Sequence, residues 1–504
     1  MPIPQEILKI KRPRNTFVVA YGKSKDLYAV RQYAGCRYDN GRHLPIKGPT
    51  IGHIINGSYI PKEEKKAISA VSRIDLRDWG NIVLCDRVFN PIIKELEQEY
   101  HHDDALKLYC ISILRVCYPG ICDYELADYY QHSYLSILYP NVALSKNTVS
   151  KFLKNLGETC SQIIKFMQDR ASSIGPNDHI LIDGTLKTNE SSINSLSDFS
   201  RKTRVKGSRD ISIIYAFDMD KMEPVCSKCY PGNMLDVNAY EDFISTNKIT
   251  RGVVVADKGF PANAAEGYRS KNPDLHYLNP IKRNATFIRT HHMLEFANIL
   301  PGRENVQCKK AKVAGKNKWL YAYRDINKAA NEEKAYLARA QTENGYDYAD
   351  YTKQKELFGT IVLECDLDLD PLQVYKMYEE RWQIELVMRY YKSACEFDVT
   401  RVHDDYSVIG SEFCDFLSSV LTHKLIKSFD QIKLLHKYTY SKIMKFLRRA
   451  KKVSIDSKSW SLINISPSLA SLLLDLGLTQ PEGKSVKNRG SSSTQLIDTS
   501  CDPV

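Results

Sequence analysis

The stretch from 371 to 393, PLQVYKMYEERWQIELVMRYYKS, constrains this chain most, because it predicts one long helix with polar chemistry along one face. Asp370 can accept backbone N–H bonds as the N-cap, and Pro371 suits the first helical position. Spacings of three, four and seven residues place four polar side chains on one stripe of this helix. They are Tyr378, Arg381, Glu385 and Lys392.

Two interpretations of this stripe are open. In the first, it is a solvated face on which Arg381 and Glu385 form an i,i+4 ion pair, an interaction that contributes only ~0.2–0.5 kcal/mol. In the second, an acid, a guanidinium, a phenol and an ammonium group together hold a metal ion and DNA phosphates.

The pattern Tyr378-x2-Arg381-x3-Glu385-x6-Lys392 resembles the Tyr-Arg-Glu-Lys signature of bacterial insertion-sequence transposases. That family is a branch of the DDE superfamily and has an RNase H-like catalytic core. The resemblance implies two further catalytic aspartates upstream of the helix, each ending a β-strand. It therefore makes a prediction that the rest of the sequence can test.

Two strand patterns upstream end in an aspartate. The apolar run HILID ends at Asp183, and a glycine follows it. The run GVVVAD ends at Asp257, and Asp-x-Gly-Phe after a valine-rich strand is similar to the family's second catalytic motif. The alternative is that Asp257 only caps a helix around Ala262–Tyr268.

The resemblance and the residues together predict a metal site. Asp183, Asp257 and Glu385 lie on separate elements, and several anionic ligands are what two-metal phosphoryl chemistry requires. Because the ligands are hard oxygens, two Mg²⁺ (or Mn²⁺) ions are expected. The resemblance further implies that Arg381 and the lysine of the signature bind phosphates, and that its tyrosine contacts a distorted DNA end.

A chain of 504 residues is too long for one core, so several modules are expected. The predicted fold class is α/β, with an RNase H-like mixed-sheet core, a β-rich insertion domain, a small N-terminal β module and helical flanking regions. The expected modules are a small β module (1–62), a helical region with a helix-turn-helix (63–176), the first part of the core (177–284), the insertion domain (285–358), the second part of the core with the signature helix (359–427), a basic C-terminal region (428–480) and a disordered tail (481–504).

One helix in the 63–176 region has the pattern of a recognition helix, with Ser145 as its candidate N-cap and Gly157 as its stop. Its outward side chains include Lys146, Asn147 and Lys151, which would face a DNA groove. A solvated amphipathic helix has the same pattern. Further helices are predicted at Asp123–Gln131, capped by its first residue, and at Ser441–Lys452.

Composition permits a nucleic-acid partner and a cytoplasmic location. The formal net charge is +11, which allows a polyanionic partner without demanding one. The 13 cysteines have no regular spacing, as expected in a reducing cytosol, and Cys226-x2-Cys229 lacks a second pair and is expected within a strand. No signal peptide and no apolar run of about 20 residues is present, so no membrane contact is expected.

The predicted function is that of a cut-and-paste DNA transposase. It would act on double-stranded DNA, at the element ends and at the target, as a homodimer in a synaptic complex. The expected location is the bacterial cytoplasm, in association with the nucleoid. Two alternatives are an element-derived DNA-binding protein that no longer cuts and an RNase H-like nuclease without strand transfer.

Overall fold

The described residues fold into two compact units, the first formed by residues from 1–77 and 451–465 and the second by residues from 78–450 and 466–479. The predicted tail, 481–504, lies outside the described residues. The computed structural model describes residues 3–20, 27–39, 41–62, 74–189, 191, 193–199, 209–234, 236–256, 266–341, 345–381, 399–400, 402–455, 459–463 and 465–479.

Two small sheets form the first unit. A four-stranded antiparallel sheet contains β1 (Thr16–Ala20), β2 (Tyr28–Asp39), β3 (Arg42–Ile55) and β4 (Ser58–Pro61). In a second sheet of three strands, β15 (Lys451–Ser454) lies between β5 (Asp75–Asp78) and β16 (Ser461–Ile463). The turn between β3 and β4 has φ of 50° at Asn56 and 75° at Gly57, as in a type I′ turn. Ile7 of helix α1 (Gln5–Leu8) packs against the apolar cluster around Val30.

A nine-stranded mixed sheet is the centre of the second unit. Its strands are β6 (His179–Thr188), β7 (Asp210–Asp218), β8 (Glu223–Pro231), β9 (Gly252–Ala256), β10 (Leu275–Pro280), β11 (Asn298–Leu300), β12 (Arg303–Lys312), β13 (Trp319–Asp325) and β14 (Thr360–Cys365). Their order is β11-β12-β13-β14-β10-β9-β6-β7-β8. Since β6, β7 and β8 form an antiparallel meander and β9 and β10 run parallel to β6, the predicted RNase H-like core is confirmed.

Strands from the predicted insertion domain extend this same sheet. β14 lies between β10 and β13 and is antiparallel to both, and β12 and β11 continue the antiparallel pairing outward. The domain boundaries given above stay predictions.

Helices cover the sheet, and the longest described one, α15 (Asp405–Gln431), packs against α4 (His102–Cys117), α7 (Lys146–Glu158) and β8. In the part of the chain that the structure describes, no helix has both the length and the apolar character needed to cross a membrane. The helices of the second unit are α2 (Gly80–Phe89), α3 (Ile92–Leu96), α4 (His102–Cys117), α5 (Leu126–His132), α6 (Leu135–Leu138), α7 (Lys146–Glu158), α8 (Cys160–Ala171), α9 (Asp236–Thr246), α10 (Glu266–Arg269), α11 (Thr286–Thr290), α12 (Ile326–Arg339), α13 (Tyr348–Lys355), α14 (371–381 within the described residues), α15 (Asp405–Gln431), α16 (Tyr440–Leu447) and α17 (Pro467–Asp475).

Two predicted helices have different ends in the structure. Asp123 does not cap the helix that follows it, because that helix begins at Leu126 and the Asp123 carboxylate instead accepts a 2.9 Å bond from Arg115. The basic helix expected at Ser441–Lys452 stops at Leu447, and its last two lysines lie in strand β15. In the first case a tertiary ion pair replaces the predicted helix cap. In the second case strand pairing replaces the predicted last turn of the helix.

Gly157 does not end α7, contrary to the prediction; the helix continues to Glu158. A Cβ at Gly157 would come within 2.0 Å of the Tyr406 carbonyl oxygen. At the same crossing, a Cβ at Gly410 would come within 2.0 Å of the Leu153 carbonyl oxygen. Both glycines therefore serve the close approach of α7 to α15.

A buried charge network joins β6 to α15 and α4. The Lys187 ammonium is fully buried and lies 2.6 Å from Glu412 Oε2 and 2.7 Å from Asp415 Oδ2. The other oxygen of Asp415 accepts a 2.7 Å bond from Arg115. Burial alone would lower the pKa of Lys187, but Asp415 and Glu412 raise it above its ordinary value. Burial raises the pKa of Glu412, and the neighbouring Lys187 ammonium opposes this shift.

His423 makes the stability of the second unit depend on pH. Its ring is buried against Phe217, its Nδ1–H donates to the Ser419 carbonyl, and burial lowers its pKa from 6.5 to about 4. In the unfolded chain, His423 binds a proton below about pH 6.5, whereas in the folded chain it does so only below about pH 4. The free energy of unfolding therefore decreases as the pH falls from 6.5 to 4. In His423→Leu, the free energy of unfolding is expected to fall by about 3 kcal/mol less than in the wild type over this pH range. Urea unfolding at pH 6.5 and at pH 4 tests this.

The matched control is His132→Asn, which changes an exposed histidine. It should leave the pH dependence of the free energy of unfolding as in the wild type. Equal pH dependence in the wild type and in His423→Leu would contradict the assignment.

Candidate active site

Asp183 lies at the position where the pairing of β6 with its neighbour β9 ends. The last pair of the parallel β6–β9 ladder joins Ile182 to Ala256. β6 itself does not end at Asp183, contrary to the prediction, because it continues to Thr188 in antiparallel pairing with β7. The Asp183 carboxylate accepts a 2.9 Å bond from the Gly184 N–H and is half-buried. Polar groups at the carboxyl ends of parallel strands commonly form ligand sites.

Asp257 lies outside the described residues, and so do Glu385 and Lys392. The strand that precedes Asp257 is the valine-rich β9 that the sequence predicts, and it ends at Ala256. The two strands predicted to carry catalytic aspartates are therefore neighbours in the sheet and run in the same direction.

Helix α14 begins as the sequence predicts. The Asp370 carboxylate accepts bonds from the N–H groups of Leu372 at 2.8 Å and Gln373 at 3.3 Å, which confirms it as the N-cap. Val374 and Met377 are buried in the core cluster that also contains residues of β12, β13 and β14. The start of the signature helix is thus fixed on the sheet by a cap and by apolar packing.

Two members of the predicted polar stripe are described. Tyr378 is half-buried and packs against the same core cluster. The Arg381 guanidinium lies 5.4 Å from the centre of the Tyr378 ring, within the range of a cation–π interaction. This interaction orients both side chains on one face of α14, as the spacing of three residues predicts.

Helix α7 has the predicted amphipathic form. Val149, Phe152, Leu153 and Leu156 are buried. The outward side chains Lys146, Asn147 and Lys151 are exposed. Their binding to DNA stays a prediction.

Sequence reasoning missed the residues of the charge network. Lys187 follows Asp183 by four positions on β6, so both side chains point to the same face of the sheet. The partner acids, Glu412 and Asp415, sit on α15, more than 200 positions later. The signal that could have revealed them is a charged residue at an inward position of a buried strand, which requires buried partners.

The cysteine pair Cys226 and Cys229 lies within β8, as the sequence predicts. Burial raises the thiol pKa of both well above the ordinary value. Because the thiolate is the form that binds metals, these positions do not favour a metal site.

The described part of the candidate site fits a hard divalent cation. The Asp183 carboxylate is an oxygen donor with partial solvent access, the kind of ligand that Mg²⁺ and Mn²⁺ prefer. Among the described residues, no three His, Cys, Asp or Glu side chains are grouped to hold a metal ion. The other two predicted ligands lie outside that part of the chain.

Comparison with known proteins identifies the core. Residues 174–407, a little under half of the chain, match a family model described as a transposase DDE domain. A search of curated proteins found no match. One similar solved structure is a piggyBac transposase synaptic complex with hairpin DNA; it has 12% identity and a TM-score of 0.39, and the match covers 82% of this chain and 88% of that one.

The matched region begins just before β6, contains both aspartate strands and the signature helix, and ends at the start of α15. It therefore coincides with the strands in RNase H-like order and with the sequence motifs that carry the resemblance. The chain therefore contains a transposase DDE domain, the catalytic domain of enzymes that cleave DNA and transfer its strands with the help of divalent metal ions.

Proposed function

We propose that this transposase works by cut and paste, with Asp183, Asp257 and Glu385 as the three carboxylates of its active site. The observation that carries the proposal is the pairing of Ile182 with Ala256 in a parallel ladder. Asp183 and Asp257 directly follow these two residues in the sequence, and consecutive Cα atoms are ~3.8 Å apart. The register therefore supports two carboxylates at one edge of the sheet.

Glu385 would join them from the signature helix. Its position is four residues, about one helical turn, after Arg381. The described start of α14 is capped by Asp370 and packed on the sheet through Val374. If the helix continues as the sequence predicts, Glu385 lies on the same stripe as Tyr378.

Two Mg²⁺ or Mn²⁺ ions held by these acids would supply Lewis-acid stabilisation of charge on the attacking and leaving oxygens. The protein's own groups would position the DNA. Arg381 and Lys392 would bind phosphates near the scissile bond, since guanidinium and ammonium groups pair well with phosphate. Tyr378 would hydrogen-bond to or stack on a distorted DNA end. Lys146, Asn147 and Lys151 would contact a groove.

The chemistry has two kinds of step. In the first, water attacks the phosphorus at an element end, the bond from phosphorus to the 3′ oxygen breaks, and a 3′-hydroxyl is released. In the second, that 3′-hydroxyl attacks a target phosphodiester and displaces a 3′-hydroxyl of the target strand. We place the enzyme in the bacterial cytoplasm, at the nucleoid, as a homodimer that joins two element ends in a synapse.

The test uses the purified chain, a linear DNA that carries the coding region with its flanking repeats, a target plasmid and Mg²⁺ or Mn²⁺. We expect cuts at the repeats and joined products in the plasmid, with both lost when EDTA is added. Binding without cutting would favour the element-derived DNA-binding protein. Cutting without joining would favour an RNase H-like nuclease.

A further inference from the structure

The hairpin of β2 and β3 extends well beyond the sheet that anchors it. β1 pairs with β2 only as far as Gln32, and β4 pairs with β3 only from Gly52 onward. Between these limits β2 and β3 pair with each other up to Asp39 and Arg42. We call residues 31–48 the ribbon. Its side chains are largely exposed, with Tyr38 at 70%.

The ribbon carries a positive charge. It contains four cations, Arg31, Arg37, Arg42 and Lys47, against one acid, Asp39. An edge strand of this length would invite aggregation if it were apolar, and cations on the strand prevent that. The same charges make a partner with a polyanionic surface favourable.

Further basic residues lie in the N-terminal segment that contacts the base of the ribbon. The Tyr33 N–H donates a 2.8 Å bond to the Asn15 carbonyl, which ties the N-terminal segment to β2. Lys11 and Arg14, just before Asn15, are exposed. Positive charge therefore runs from the base of the ribbon toward its tip.

Both faces of the ribbon carry a cation. Arg37 is opposite Leu44 and Tyr38 is opposite His43, so successive pairs point to opposite faces. The Tyr38 and His43 rings are 5.1 Å apart, which confirms that they share a face. By the same alternation, Lys47 lies on the face of His43, and the Arg37 side chain lies on the other face.

This distribution suits a groove with charge on both walls. A protein surface or a second copy would contact one face, whereas the DNA backbone places phosphates on either side of an inserted ribbon. The major groove is ~12 Å wide and admits a two-stranded ribbon, whose strands are ~4.8 Å apart. Register shifts near Arg31 and Gly35 add twist to the ribbon, as β-bulges do.

We propose that the ribbon is a DNA-binding arm that enters the major groove of double-stranded DNA. The proposal rests on the transposase function and adds a binding surface outside the catalytic domain. Arg37 and Arg42 would contact phosphates on one wall and Lys47 phosphates on the other, while Tyr38 and His43, on the face of Lys47, would contact the sugar backbone.

The test is the salt dependence of binding to a duplex of random sequence, followed by fluorescence anisotropy. The triple variant R37A/R42A/K47A should bind about tenfold more weakly or worse near 0.15 M salt, and the slope of log K against log salt should fall by about 2.7, or ~0.9 for each phosphate that is no longer neutralised. The matched control, K328A/K334A/K353A, removes three exposed lysines from the second unit and should keep the wild-type slope.

Each other outcome overturns the proposal in a distinguishable way. If the triple variant keeps the wild-type slope of log K against log salt while the wild type binds and cuts DNA, the ribbon is not a DNA-binding arm, although the transposase function is still supported. If the triple variant changes the sedimentation coefficient of the free protein and leaves DNA binding intact, the ribbon is an interface between copies. If the wild type itself binds no DNA, the arm and the function both fail.

Discussion

Replacing Asp183 with Asn is expected to reduce cleavage at the element ends at least about 10³-fold while leaving end binding measurable. In the proposed role, this carboxylate would hold the divalent ions that stabilise negative charge at the reacting phosphate, and even loss of one preorganised group there costs about 10²–10³ in rate. Asp257→Asn and Glu385→Gln should have the same effect. Gel shifts with labelled ends measure binding, and denaturing gels measure cleavage.

Asp274→Asn is the matched control for these variants. Asp274 is an exposed aspartate in the same domain, just before β10 and therefore at the opposite edge of the sheet from the carboxyl end of β9. Its variant should cut at the wild-type rate. If Asp183→Asn lost binding and cleavage in equal measure, the assigned role would be contradicted, because the residue would then be structural.

Lys187→Met is expected to destabilise the second unit by about 3–5 kcal/mol, because it leaves Glu412 and Asp415 buried with one cation fewer. Methionine keeps most of the length of the side chain, so the loss comes from the charge and not from a cavity. Urea unfolding followed by circular dichroism gives the free energy of unfolding.

Two further variants give this prediction its controls. Lys228→Met breaks a half-exposed ion pair with Asp242 and should cost under about 1 kcal/mol. Adding Glu412→Gln to Lys187→Met should recover part of the loss, because one unpaired buried charge is then removed. If Lys187→Met were no less stable than Lys228→Met, the predicted contribution of the buried network to stability would be contradicted.

Features set by local chemistry could be predicted from the sequence. The hairpin turn at Asn56-Gly57 follows from two residues that tolerate positive φ. The start of α14 follows from Asp370 and Pro371, whose effects act within one turn. The positions of the core strands can be predicted from apolar runs in the sequence. Their order in the sheet can be predicted only from the resemblance to RNase H-like transposases.

Features set by distant parts of the chain could not be predicted. Gly157 has the character of a helix stop, but the close crossing of α15 requires it inside α7. Asp123 has the character of an N-cap, but Arg115 holds its carboxylate. Asp183 can be predicted from the strand that it follows, whereas the partners of Lys187 lie on α15, more than 200 positions later in the sequence.

Anomalous scattering from Mn²⁺ in a crystal of the chain with its cut DNA ends tests the central claim most directly. The account predicts two peaks ~3.5–4 Å apart, within coordination distance of the carboxylates of Asp183, Asp257 and Glu385. Carboxylates that point into separate regions, with no peak between them, would contradict it.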